Sequence, residues 1–399
     1  MSSQSADSFL EDLSRRAFRY FLEHADPRTG LVLDRAQTDG TAKAHVASIA
    51  ATGFGLTALA IAASRRWIEP AGARGRVRHT LRFFADRAEH VHGWFYHWMD
   101  ARTGARQWNS EISSIDTALL LAGVLTAGQY FDDHEILRLA GRIYERVDFQ
   151  WMLAGSQSLL SHGWKPESGF LPNRWDSYCE LMILYLLAIG SPAHPIPAEA
   201  WYAWRRPRLT YGGYSFIYDG PLFVHQYSHA WIDFRHHRER QAPHIDYFEN
   251  SVEATRAHRE FCIALAEKFP RSYGPDLWGI TASDSAHGYY AWGGPPPQGP
   301  IDGTLVPCAP GGSLMFTPDI CLQALGAMRD QFGDKIYGRY GFADAFNPTT
   351  QWVDSDVIGI DQGITLLSAE NFRSGNVWKW CGADAAIARA VRLVFEKSQ

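Results

Sequence analysis

A lone carboxylate, Glu180, stands in the most apolar run of the chain, Cys179-Glu180-Leu181-Met182-Ile183-Leu184-Tyr185-Leu186-Leu187-Ala188-Ile189. The run stops at Gly190 with Pro192 just beyond, as helices do. A helix apolar on every side belongs in a core, where an unpaired charge is costly. The group would sooner raise its pKa and keep its proton, the state a general acid needs. Asp176 is expected one turn earlier on the same helical face. The plainer alternative is a first-turn Asp and a Glu paired with an Arg elsewhere.

Three more carboxylate settings stand out. In Asn109-Ser110-Glu111-Ile112-Ser113-Ser114-Ile115-Asp116, Asn109 or Ser110 can cap a helix and Glu111 suits its first turn. If both acids were helical, their five-residue offset would set Glu111 and Asp116 about 140° apart, so at most one would face a reacting bond. In Asp354-Ser355-Asp356-Val357-Ile358-Gly359-Ile360-Asp361, Asp361 fits an N-cap, and beyond it Glu370 and Arg373 are placed to pair with each other. Asp284, in Thr281-Ala282-Ser283-Asp284-Ser285, is either an Asx-turn residue or a bidentate ligand for sugar hydroxyls. His225, Gln226 and Tyr227, at the start of a further helix, are candidates to line a cleft, whereas His229 reads as a core histidine.

Helical periodicity must position these groups. It predicts helices at about 5–25, 45–66, 73–90, 110–130, 133–152 and 174–190, then 197–204, 223–237, 245–268, 317–331, 359–372 and 380–397. Long strands are absent, so the fold class is all-α. Short connections pair the first six helices as antiparallel hairpins. Six hairpins in a ring, an (α/α)6 barrel, is the simplest closed arrangement, with a stack of helical repeats as the alternative. No linker divides the chain, so 1–399 reads as a single domain. The stretches 153–173, 205–222, 269–316 and 333–352 are longer than mere connections and carry Trp and Tyr, as cleft walls do.

Composition narrows the chemistry. The chain has 399 residues, a net charge of −5 and no dense Lys/Arg run, which argues against a nucleic-acid partner. No 18-residue apolar stretch is present, so no membrane span is expected. The first residues lack the basic and apolar regions of a signal peptide, which predicts a cytoplasmic location, or a periplasmic one if a leader has been removed. Five scattered cysteines without a CxxC, and histidines without an HExxH, predict free thiols and no metal centre. Glycine pairs lack the context of a phosphate loop, and no GxSxG elbow occurs. Aromatics reach 14%, with Trp94, Trp98, Trp108, Trp164, Trp278, Trp292 and Trp352 in loop-like stretches. That bias favours a carbohydrate, because aromatic faces stack on sugar rings.

Five segments, taken together, resemble a known family. They are Ser110-Glu111-Ile112-Ser113-Ser114-Ile115-Asp116, Tyr178-Cys179-Glu180-Leu181-Met182, His225-Gln226-Tyr227-Ser228-His229-Ala230-Trp231, Trp278-Gly279-Ile280-Thr281-Ala282-Ser283-Asp284, and Ile360-Asp361-Gln362-Gly363 with Glu370-Asn371-Phe372-Arg373. In order and over nearly the whole chain, they resemble the glucoamylase-like domain family, which includes glycoside hydrolase family 144, the bacterial β-1,2-glucanases. The resemblance implies an (α/α)6 barrel that hydrolyses β-1,2-linked glucan or its oligosaccharides by inversion, without a cofactor. Glu180 is then the acid, and Asp361, Glu111 and Asp116 are candidates for the base, with Glu370 behind them. Asp284, His225, Gln226, Tyr227, Trp175, Arg373, Glu370 and Trp278 are expected to bind glucose units. Acid and base of an inverting pair should stand about 6.5–9.5 Å apart. Transglycosylation, a lyase or epimerase on a similar ring, and a non-catalytic glucan-binding protein are the alternatives.

Overall fold

The computed structural model of the protein describes residues 3–398. Its helices begin with α1 (Ser3–Glu23), α2 (Ile49–Ser64), α3 (Pro70–Asp86), α4 (Ser114–Phe131), α5 (His134–Glu145), the short α6 (Phe149–Met152) and α7 (Met182–Gly190). They continue with α8 (Tyr227–Trp231), α9 (Tyr247–Leu265), α10 (Cys308–Gly312), α11 (Pro318–Phe332), α12 (Gly359–Ser374), α13 (Asn376–Gly382) and α14 (Ala385–Val394). Helix is the main regular structure, and the described strands are only two to four residues long. No described helix is long and apolar enough to cross a membrane.

The most completely buried helices form an inner circuit. Helix α2 packs on both α4 and α12, α4 reaches α7, and α8 touches α7 on one side and α12 on the other. Amphipathic helices cover this circuit from outside: α1 lies on α12 and α2, α3 on α2 and α5, and α14 on α7. Amphipathicity follows from the roles, since an inner helix is buried all round while an outer one must present a polar face to water.

The circuit is tight where glycines meet. A Cβ added to Gly123 of α4 would lie 2.0 Å from the carbonyl oxygen of Gly53 in α2. Here two backbones touch without side chains between them. Gly123→Ala should therefore destabilise the protein by about 1–3 kcal/mol through overpacking. Gly75→Ala on exposed α3, where nothing lies within 4 Å, should stabilise it by about 0.5–1 kcal/mol. Urea denaturation of the two variants checks the contrast.

Short antiparallel ribbons lead into the inner helices. Val46–Ser48 pairs with Trp98–Asp100 and runs into α2, Ile112–Ser113 pairs with Gly163–Lys165 and runs into α4, and Asp356–Ile358 pairs with Arg35–Gln37 and runs into α12. Ser48 and Ser113 cap their helices by accepting from the Ala51 and Asp116 amides. Periodicity alone does not show these ribbons, so the helices expected at 45–66 and 110–130 begin later than the sequence suggests.

Other boundaries move for tertiary reasons. The helix expected over 174–190 starts only at Met182, and Glu180 sits in the turn before it. Residues 174–178 are held extended by the Trp175 indole donating to Ser114 Oγ (2.8 Å), by Tyr178–His225, and by backbone pairing with Arg205. Asp176 is therefore not on a face shared with Glu180; it is exposed and pairs with Arg205 at 3.3 Å. The helix expected over 223–237 shrinks to a 3-10 turn, Leu222–His225, and α8. The 133–152 segment breaks at Asp148, which caps α6, and the 380–397 segment divides into α13, α14 and the strand Phe395–Lys397.

Candidate active site

Carboxyl groups gather where the inner helices begin. Asp116 and Asp361 are each the third residue of an inner helix, α4 and α12, and Glu180 lies two residues before α7. Helix N-termini favour negative charge and offer free amides, which offsets part of the cost of placing acids there. Asp361 is thus not the cap of α12; the extended residue Ile358 holds that position.

Glu180 is half-buried. Its turn is fixed by Ser228 of α8, whose hydroxyl donates to the Glu180 carbonyl (2.8 Å) and accepts from the Ile183 amide (3.0 Å). Burial lifts its pKa to about 7, and the charges that act on it, Asp219 and Asp116, are acidic and push the same way. The arginine partner of the plainer reading is not there.

Glu111 and Asp116 do meet, contrary to the helical-wheel argument. Glu111 precedes α4, so the wheel does not apply to it, and His97 bridges the two acids. His97 Nδ1 lies 2.9 Å from Glu111 Oε1, and Nε2 lies 3.5 Å from Asp116 Oδ2. Burial would make the imidazole neutral, but the Asp116 charge and the Glu111 hydrogen bond outweigh it and hold the pKa above the usual histidine value. The same hydrogen bond keeps Glu111 below its ordinary range. Sequence reasoning missed His97, for which a lone histidine between Tyr96 and Trp98 gives little signal.

The second group of acids surrounds Asp361, which is 5% exposed. Asp344 and Cys308 lie around the same small pocket as its carboxyl, and burial raises its pKa to about 6. Asp344 is more deeply buried; burial and the Asp361 charge push its pKa well up. Two carboxyls this close cannot both ionise readily, and burial with the Asp361 charge favours the proton on Asp344. Asp344 Oδ2 also accepts from the Asp284 amide at 2.9 Å, tying the pair to Asp284.

Asp284, Asp354 and Asp356 form an acidic wall, with an oxygen from each lying within 4.8 Å of the others. Arg35 reaches Asp284 at 2.6 Å and Lys43 reaches Asp356 at 3.0 Å, so two cationic side chains neutralise much of it. Oxygens so spaced could also hold a small cation, and they equally suit sugar hydroxyls. Asp344, Asp354, Asp356 and Arg35 were not among the sequence-derived site residues. The run Asp354-Ser355-Asp356 just before Asp361 was the available signal; Asp344 had none.

Tyr227 joins the two groups. Its ring packs against Phe54 and Phe223, and its hydroxyl is within reach of the charges of both Asp361 and Glu180. Tyr289, 50% exposed, also feels the charges of Asp361 and Asp344, which with burial hold its pKa well up. The charges of both acid groups thus act on one tyrosine, Tyr227, which relates Glu180 to Asp361.

Several expected ligands lie elsewhere. His225 is buried against Tyr178 (2.8 Å), with its pKa driven down to about 3 by burial. Gln226 is fully buried and donates to Ala309 O and Ser313 Oγ, both at 2.8 Å. Both are core polar groups. Trp278 is a core residue with no exposed surface, and Trp175, also buried, stacks on His162. Arg373 is twelve residues along α12 from Asp361, about 18 Å away, where it pairs with Asp7 and Glu11. Glu370 does not pair with Arg373 either; it is buried against Arg65, Ser374 and Asn376. Of the loop tryptophans, Trp94, Trp278 and Trp292 are buried and Trp98, Trp164 and Trp352 half-buried, while Trp108 is 62% exposed. A cavity of about 400 Å³ lies apart from all these acids, walled by Phe21, Leu56, Leu59 and His79.

Known proteins share this fold. An endo-β-1,2-glucanase from Chitinophaga pinensis, solved with sophorotriose and glucose, superposes with a TM-score of 0.90 at 29% identity, covering 98% of this chain and 99% of that one. A β-1,2-glucanase structure from Parabacteroides distasonis gives 0.88 at 25% identity, covering 97% of this chain and 60% of that one. An exo β-1,2-glucooligosaccharide sophorohydrolase (non-reducing end) from Parabacteroides distasonis is 28% identical over 93% of this chain, which spans only 56% of that relative's length. The Glycoamylase family model, described as "Putative glucoamylase", matches residues 172–383. That match takes in Glu180, the acidic wall and Asp361 and runs over more than half of the sequence: the chain belongs to the Glycoamylase family.

Proposed function

We propose that the protein is a glycoside hydrolase that cleaves β-1,2-linked glucan or its oligosaccharides, working as one catalytic domain with its helices in an (α/α)6 barrel. The observation that carries this reading is Glu180: a half-buried carboxyl acted on by other acids, with its pKa lifted to about 7. Such a group keeps its proton near neutrality and can give it to a glycosidic oxygen as the bond breaks. Asp361 is the base in this reading. The proton held on Asp344 keeps it ionised, so it can take one from an attacking water on the opposite side of the sugar ring, which inverts the anomeric centre. Asp116 and Glu111, bridged by His97, keep negative charge near Glu180 and act as positioning groups. Asp284, with Asp354 and Asp356, would bind sugar hydroxyls, and Tyr227 would sit against the ring between acid and base. The names of the relatives supply the β-1,2 linkage.

Incubation with linear β-1,2-glucan and sophoro-oligosaccharides, followed by chromatography and polarimetry, tests the reading. Shorter sophoro-oligosaccharides released first as the α-anomer are expected. No cleavage of any β-1,2-linked substrate would reject it, and products released first as the β-anomer would reject inversion.

A further inference from the structure

Trp108 is exposed in a way that core packing does not explain. Its ring is 62% open to solvent. Its backbone and that of Asn109 are both left-handed, with φ of 54° and 50°, a conformation that non-glycine residues adopt at a cost and that gathers at functional sites. The loop is nevertheless held firmly. Trp108 meets Trp98 edge-on at 5.4 Å, and Trp98 lies flat on His97 at 3.5 Å and 13°. His97 is in turn bound to Glu111 and Asp116. The exposed ring is thus the outer end of a stack anchored in the site.

Polar groups stand beside it. Trp108 walls a cavity of about 100 Å³ together with Asp34, Arg35, Lys43 and Asp356, and Arg35 and Asp356 belong to the acidic wall. A rigid aromatic face next to fixed donors and acceptors is what a pyranose ring needs, since its C–H face stacks while its hydroxyls hydrogen-bond. Resting on the hydrolase reading above, we propose that Trp108 is the stacking platform of a distal glucosyl subsite, which holds a sugar unit of the bound β-1,2-glucan beyond those next to the bond cleaved and favours longer chains.

The test compares Trp108→Gly, which the positive φ accommodates, with Trp108→Phe, which keeps a ring. Rates are measured on β-1,2-glucan and on the shortest oligosaccharide the unsubstituted enzyme cleaves. The glycine variant should lose about tenfold more kcat/KM on the polymer than on the short substrate, mainly through KM, and phenylalanine should restore most of it. Equal effects of Trp108→Gly on long and short substrates, including no effect on either, would overturn the subsite. Inactivity of the unsubstituted enzyme on all these sugars would instead reject the hydrolase reading, and the subsite with it.

Discussion

Glu180→Gln should lower kcat on β-1,2-glucan by about 10²–10⁴, the contribution of a positioned general acid, with little change in KM. Gln keeps the shape and hydrogen-bonding capacity of a protonated Glu but has no proton to give. A stability effect of opposite sign should accompany the loss. The pKa of Glu180 rises from 4.5 to about 7 on folding, so the folded state holds the proton more tightly than the unfolded chain does. Stability is then greatest below the unfolded value and falls as pH rises toward the folded value, because above it a charge must sit in the dry turn. At pH 8 the Gln variant, free of that charge, should be more stable than the parent by on the order of 3 kcal/mol. The gap should close below about pH 4.5. Thermal unfolding at pH 4 and pH 8 reads this directly. A variant that loses activity and stability together would show that Glu180 is a structural group. In the parent, activity should fall as pH rises through about 7, where Glu180 loses its proton.

Asp361→Asn should lower kcat by a similar 10²–10⁴, whereas Asp344→Asn should cost less than about tenfold. The two residues touch, so geometry alone treats them alike; the asymmetry comes from where the proton sits. Burial and the Asp361 charge favour the shared proton on Asp344, and an Asn amide can donate to Asp361 in its place. Asp361 must be ionised to take a proton from water, which Asn cannot do. On the acid side, activity should decline as the pair takes up its second proton, at a pH above the ordinary carboxylate range because burial raises both groups. Full pH profiles of the three proteins check this. Equal losses in the two Asn variants would mean that the base was assigned to the wrong member.

Local chemistry was readable in the sequence, but relations between distant segments were not. The apolar run after Cys179 announced that a carboxyl at 180 would be poorly solvated, and its pKa moves as that environment requires. The same run also suggested a helix reaching back to 174. That helix does not form because Trp175 and Tyr178 are bound to Ser114 and His225, partners dozens of residues away. Asp284, Asp344 and Asp354–Asp356 come together only through loop contacts and ribbon pairing, which have no period to detect. His225, Gln226 and Trp278 looked like ligands because polar and aromatic residues at a helix start or in a loop suit both roles. Burial decides between the roles, and their partners lie inside the core. Arg373 and Glu370 were expected to pair with each other and to bind glucose, but they lie about three turns along α12 from Asp361 and pair with Asp7, Glu11 and Arg65 instead.

Catalysis as proposed needs a protonated carboxyl at position 180 near neutral pH. Titration of the protein labelled with ¹³C at the glutamate carboxyls, followed by NMR, measures this, with the Glu180 signal identified by its loss in Glu180→Gln. A midpoint of about 7 is the expected result, and a midpoint at the ordinary 4.5 would contradict the central claim.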